Sequence, residues 1–269
     1  MNDVRAEPAS RRDHEAAAVE DLGKKRVLRT AKELTRHLLH SLGWRRKLPH
    51  LQAESREERF ARIYEAGVWR LDDPNSPASG WGSSLAATEL VRRALPALLE
   101  RLSAETLLDV GCGDFTWMKD VALSCAYVGI DIVPSIIAAN RDAYGSPRRT
   151  FMLCDAVKET LPEADVVLCR EVLFHLSFAD AIAALKNIFA GDRRYLITTT
   201  DHDTAFNSDI ETGDFRLVNL EKRPFRLPPP LFEIGDSAVA KGRRLGVWNM
   251  AEVRASLDGG KRRSIAAAD

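Results

Sequence analysis

The chain has 269 residues, 45% of them hydrophobic, with 39 basic and 39 acidic side chains. That length and apolar content support one sizeable α/β domain with appendages, and zero net charge gives no general electrostatic case for nucleic acid as a partner. No apolar run approaches the roughly 18 residues of a membrane span and no signal-peptide core is present, so a cytoplasmic protein is expected.

Residues 1–23 are polar and charged and read as a disordered tail. From Lys24 to Leu48, Val27, Leu28, Ala31, Leu34, Leu38, Leu39 and Leu42 recur at helical spacing. Nine basic side chains lie among them: Lys24, Lys25, Arg26, Arg29, Lys32, Arg36, Arg45, Arg46 and Lys47. Such a helix either packs on its own domain or makes a weak contact with an anionic membrane surface or a protein. Ser55 to Tyr64 predicts a second short helix, with Phe60, Ile63 and Tyr64 on one side. Residues 72–84 are rich in Pro, Gly, Ser and Asn and read as a loop. Ser83 or Ser84 can cap the next helix, Leu85 to Leu102, whose stripe is Leu90, Val91, Leu95, Leu98 and Leu99, with Pro96 inside it.

From Thr106 strands and helices alternate. Strands are expected at 106–110, 126–130, 150–153, 166–169 and 195–199, and helices at 116–123, 134–144 and 178–189. That order implies a parallel sheet with helices on both faces. After Thr200 the alternation stops. Residues 201–229 form a long polar, aromatic and proline-rich segment, followed by two strands, Leu231–Ile234 and Leu245–Trp248, as a terminal antiparallel hairpin. The expected layout is a tail at 1–23, a helical extension with its loop at 24–83, a folded domain at 84–257 that includes 201–229 as an acceptor lid, and a frayed tail at 258–269.

In open α/β sheets, ligands bind at the carboxyl ends of the strands. The first strand delivers Asp109-Val-Gly-Cys-Gly113, whose glycines permit a tight turn and close approach of backbone to a ligand. The second delivers Asp131, 18 residues after Gly113, where a carboxylate can accept hydrogen bonds from ribose hydroxyls. The third delivers Cys154-Asp155-Ala156, and the fourth Cys169-Arg170-Glu171 with His175 beyond. A dinucleotide turn wants a small residue where Thr116 stands, which counts against a nicotinamide cofactor. The cysteines at 112, 125, 154 and 169 lack metal-ligand spacing, so no metal site is expected.

These segments, Leu107 to Gly113, Gly129-Ile-Asp-Ile132, Cys154-Asp155 and Asp165 to Leu176, resemble a class I S-adenosylmethionine-dependent methyltransferase. The resemblance covers residues 84–249 and implies a Rossmann-like, doubly wound seven-stranded sheet ending in the antiparallel hairpin. It further implies that Asp109, Gly111, Cys112 and Gly113 lie against the methionine part of S-adenosylmethionine, and that Asp131 holds the ribose with Ile132 on the adenine. Asp155 and Ala156 then meet the adenine edge, and Cys169 and Arg170 lie beneath the sulfonium. The sequence departs from the fuller pattern at Phe115, which stands where a third glycine is usual.

The expected activity is methyl transfer to oxygen or nitrogen of a small-molecule acceptor, leaving S-adenosylhomocysteine; a cofactor-fold adaptor docking through the basic helix is the alternative. Glu171 and His175 are the candidate proton acceptors, His175 having also the reading of a core histidine. On the acceptor side Phe215 and Phe225 could form an apolar wall, and Arg216 and Asn219 could fix a polar group. The competing reading of this segment is a structural cover for the sheet.

Overall fold

The computed structural model describes residues 47–70, 76–238 and 240–257, with positions 30, 31, 34, 35, 38, 39 and 42 before them. The tails expected at 1–23 and 258–269, and most of the basic helix, lie outside the described residues. Seven strands form one sheet: β1 Thr106–Val110, β2 Ala126–Asp131, β3 Arg149–Leu153, β4 Val166–Cys169, β5 Tyr195–Asp201, β6 Phe232–Gly235 and β7 Arg243–Asn249. Their order is β3-β2-β1-β4-β5-β7-β6. β1 to β5 run parallel, β7 is antiparallel to β5, and β6 pairs antiparallel with β7.

The helices are α1 Arg56–Glu65, α2 Glu89–Arg101, α3 Pro134–Tyr144 and α4 Phe178–Phe189, with 250–257 helical at the end. Strand residues alternate between two buried layers, as expected when both faces are covered. Leu108, Val110, Val167 and Cys169 pack on the α4 side, whereas Leu107, Val166, Leu168 and Ile197 pack on the α2 side. Ser55 caps α1 by accepting from the Glu58 amide, and Ser177 caps α4 by accepting from that of Asp180.

Two expectations are corrected. The helix expected at 116–123 is only a 3₁₀ turn, Met118–Asp120. Helix α2 begins at Glu89 rather than at 85, and Leu90 is exposed instead of joining the stripe. The segment 201–229 lies across the α4 face and covers it. Val218, Leu220, Phe225 and Leu227 are buried in that layer. Asn207 and Asn219 brace the segment: Asn207 Nδ2 donates to the Asn219 and Arg223 carbonyls, and Asn219 Nδ2 to that of Thr204. The fold of this segment is set by packing and side-chain bonds rather than by a ladder.

Candidate active site

The turn after β1 is built for close approach. The amides of Gly111 and Cys112 both donate to the Ile130 carbonyl, at 2.8 and 3.0 Å, and Gly111 and Gly113 hold φ of 70° and 57°. A Cβ on Gly111 would overlap Val172, and one on Gly113 would overlap the Ser79 hydroxyl. The Asn140 amide ties the turn to α3 by donating to the Gly113 carbonyl at 2.7 Å. Phe115, at φ 59°, turns its ring away from the turn into a cluster with Tyr127, Tyr144 and Phe151, at 5.0 to 5.2 Å between centroids. The left-handed backbone explains why glycine suits that position; the cost for phenylalanine is about 1–2 kcal/mol.

One cavity lies over the carboxyl ends of β1 to β4. Asp109, Gly111, Cys112, Gly113, Asp131, Ile132, Asp155, Ala156, Arg170, Glu171 and His175 all line it. Burial pushes the Asp109 carboxyl up to about 7; the hydrogen bond from the Tyr127 hydroxyl, 2.7 Å, opposes this and the Asp131 charge adds to it. Asp131 is also raised by burial, against the Val133 and Gly113 amides that donate to its two oxygens at 3.0 and 3.1 Å. Each oxygen retains lone-pair capacity for a ligand hydroxyl. Both oxygens of Asp155 are engaged, Oδ1 by the Val157 amide and Oδ2 by the Arg56 guanidinium at 2.7 Å.

At the β4 end, Glu171 holds φ of 66°, a strained conformation for a residue with a side chain. Its amide donates to the Thr199 hydroxyl at 2.8 Å. Its Oε1 accepts from Arg243 at 2.6 Å and lies 3.1 Å from Arg170, which in turn pairs with the buried Asp236 at 2.9 Å. The backbone of Gly82 presses on this carboxylate so closely that a Cβ there would overlap it. His175 follows on a 3₁₀ turn, Leu173–His175, with Nδ1 3.1 Å from the Asp214 carbonyl. A carbonyl only accepts, so Nδ1 carries the hydrogen and Nε2 is left as the acceptor. Burial lowers the His175 pKa, partly offset by the Asp214 hydrogen bond and Glu171, and the lowered value favours the neutral ring.

Five expected site residues do not line the cavity. Cys169 is wholly buried in the α4-side layer, where burial pushes its thiol up to about 12. Arg216 is 1% exposed; it donates to the Leu176 carbonyl and lies over the Phe178 ring. Asn219 is the brace described above, and Phe225 packs edge-on to Phe178 at 5.9 Å. Phe215 is exposed but touches the site indirectly, 5.4 Å from the His175 ring. Physically, 201–229 spends its apolar side chains on covering the sheet, while its backbone carbonyls at Thr212 and Gly213 seat the N-terminal segment.

That segment is what sequence reading missed as site. Arg56, Phe60, Tyr64, Trp69, Ser79 and Ser83 roof the cavity. Arg56 reaches both Asp155 and Asp180. Ser79 exchanges bonds with Asp114, its hydroxyl accepting from the Asp114 amide at 2.8 Å, and lies 3.2 Å from the Tyr64 hydroxyl. His50 Nε2 lies 3.1 Å from the Gly213 carbonyl, and Arg59 donates to that of Thr212. The one-sided pattern of Phe60, Ile63 and Tyr64 and the Gly/Ser-rich loop were the only local signals of this roof. Among the described residues no His, Cys, Asp or Glu group could hold a metal.

Residues 108–191 match a sequence family described as a methyltransferase domain. No curated protein matches the chain. Among solved structures, the chain is similar to N-methyltransferase NodS from Bradyrhizobium japonicum in complex with S-adenosyl-l-homocysteine: 16% identity, TM-score 0.47, covering 70% of this chain and 98% of that one. The methyltransferase domain of bacterial CtHen1 shares 16% identity at TM-score 0.46, covering 61% and 99%. Magnesium protoporphyrin IX methyltransferase from Synechocystis with bound SAM shares 19% at TM-score 0.45, covering 59% and 82%.

Proposed function

We propose that this chain, which carries a class I S-adenosylmethionine-dependent methyltransferase domain, transfers the methyl group to an oxygen or nitrogen of a small-molecule acceptor. One observation carries the reading: the ends of four successive strands converge on a single cavity roofed by the N-terminal segment. The residues fit the donor. Without side chains at Gly111 and Gly113 the turn lets Val172 and Ser79 pack directly on its backbone at the cavity wall, and Asp109 offers a buried carboxyl suited to a cationic end. Asp131 has lone pairs left for ribose hydroxyls, and Ile132, Asp155 and Ala156 line the cavity where a purine would lie.

S-adenosylmethionine supplies an activated methyl on a positively charged sulfur that leaves as the neutral thioether of S-adenosylhomocysteine. The chain's own work is alignment and exclusion of water, which can contribute several kcal/mol of rate enhancement. Phe60, Tyr64 and Trp69 close the cavity from above. His175 Nε2 accepts the acceptor's proton as its lone pair bonds to carbon, and the neutral ring becomes imidazolium next to the Glu171 carboxylate. Glu171 itself, held by two guanidinium groups, serves to stabilise that charge.

Calorimetry tests the reading. Wild-type protein binds S-adenosylhomocysteine, and Asp131→Ala, with unchanged circular dichroism, weakens that binding at least tenfold. Absence of binding by the wild type to both S-adenosylmethionine and S-adenosylhomocysteine would overturn it.

The N-terminal helix supports a second, compatible reading. Positions 30, 31, 34, 35, 38 and 39 are helical, and Leu34, Leu38 and Leu42 are 49%, 60% and 74% exposed. With nine basic residues and one acid between 24 and 47, this stripe suits an anionic bilayer surface. No helix among the described residues is long and apolar enough to cross a membrane. The full chain should cosediment with phosphatidylglycerol vesicles and much less with phosphatidylcholine ones, and Leu38→Glu with Leu42→Glu should abolish it. Equal sedimentation of wild type and double variant would remove this reading.

A further inference from the structure

Trp69 belongs to none of the strand-end signatures, yet it makes the nearest ring contact to the proposed base. Its centroid lies 4.7 Å from that of His175, with planes inclined at 43°. Behind it stand Tyr64 at 5.4 Å and Phe60 at 6.1 Å, both from α1. Gly80, at φ 92°, backs the Trp69 stem; a Cβ there would come within 3.3 Å of the Trp69 Cβ. Another side of His175 is taken by Phe215 at 5.4 Å and 48°. Trp69 and His175 both line the cavity, whereas Phe215 does not.

The polar contacts run the same way. The Gly213 amide donates to the His175 carbonyl at 2.8 Å, and Asp214 supplies the carbonyl that faces Nδ1. That strip is gripped from the N-terminal segment by His50 on Gly213 and Arg59 on Thr212. The tautomer of His175, its ring plane and its partial burial therefore all involve groups that residues 50–69 contact.

We propose that Trp69 is a positioning residue for His175, its indole and the Phe215 ring holding the imidazole with Nε2 toward the cavity, so that the base is complete only when the N-terminal segment is docked. This rests on the reading of His175 as proton acceptor. The charged groups around His175 are Glu171, which favours its protonation, and Arg243 and Arg216, which oppose it. None is on the same element as Trp69, so removing the indole changes solvation and ring placement while leaving the local charges in place.

The test needs no acceptor. Full-length protein labelled with ¹⁵N-histidine is titrated by NMR, with His175→Ala assigning the resonance among six histidines. The wild type should show an Nδ1–H tautomer that protonates below the ordinary value of about 6.5. Trp69→Ala should move the midpoint up toward that value and mix the tautomers, whereas Trp69→Phe should keep both wild-type signatures. An identical His175 titration and tautomer in wild type and Trp69→Ala overturns the proposal, even if the variant loses thermal stability. S-adenosylhomocysteine affinity, measured on the same samples, reports separately on the methyltransferase reading: loss of that binding in the wild type would sink the function and leave the Trp69–His175 coupling standing or falling on the NMR alone.

Discussion

His175→Ala lowers the methylation rate at saturating S-adenosylmethionine by 10²–10⁴-fold, the usual contribution of a positioned general base, while S-adenosylhomocysteine affinity stays within about threefold. In the proposed mechanism the separation arises because the imidazole acts on the acceptor's proton and takes no part in the ribose and adenine contacts proposed for Asp131 and Ile132. The geometry favours His175 over Glu171 in this role. Nδ1 is committed to the Asp214 carbonyl and Nε2 is free to accept, whereas Glu171 Oε1 is shared by Arg170 and Arg243. Burial lowers the His175 pKa, so the ring stays unprotonated below the ordinary histidine range and the acid limb of the rate profile falls at a pH under about 6.5. The same shift has a consequence for folding: the unfolded chain binds a proton at this site before the folded one does. His175 therefore lowers stability as pH falls below about 6.5, and has no such effect above it. A rate loss smaller than tenfold in His175→Ala would reduce its role to alignment.

The parts of the site legible in the sequence are those written within a few residues of a strand end. Asp109 with Gly111 and Gly113, Asp131, and Asp155 with Ala156 each follow an apolar run, and the parallel sheet aligns the carboxyl ends of such runs by its own topology. Cys169 shares that local signature and still faces the core, because alternation along β4 turns it to the α4 side while Arg170 emerges into the cavity. The roof could not be found in this way. Its contacts join residues far apart in the chain, Ser79 to Asp114 and Arg56 to both Asp155 and Asp180, and no local periodicity encodes them. In the 201–229 segment, the aromatic and basic side chains that would suit an acceptor also suit a core facing α4. Arg216 illustrates the ambiguity: its guanidinium serves the Leu176 carbonyl and the Phe178 face, contacts that only the packed structure reveals.

Asp109→Asn should stabilise the free protein and weaken the donor site at once. The carboxyl of Asp109 is raised from 3.8 to about 7, chiefly by burial, a difference equivalent to roughly 4 kcal/mol of penalty on its charged form. The sign follows from proton counts. Between those two values the folded chain holds a proton that the unfolded chain has released, so stability declines as pH rises through that window and the full penalty applies above about 7. Asparagine carries no charge to desolvate, and its carbonyl can still accept from the Tyr127 hydroxyl. The raised value of about 7 is already net of the opposing Arg170 charge, and because a buried asparagine amide carries a smaller desolvation cost of its own, a gain of about 1–3 kcal/mol at pH 8 is expected. For a chain of this size that is a rise in melting temperature of several degrees. The ligand sees the opposite. A charge-assisted contact from Asp109 to a cationic ligand group contributes roughly 1.5–3 kcal/mol, so S-adenosylhomocysteine should bind about 10- to 10²-fold more weakly to the variant. Wild-type affinity should rise with pH as Asp109 ionises near 7, and that dependence should vanish in Asp109→Asn. Differential scanning calorimetry and isothermal titration at pH 6 and pH 8 distinguish the outcomes: an unchanged melting temperature at pH 8 together with unchanged affinity would show that Asp109 is neither strained by burial nor turned toward the ligand.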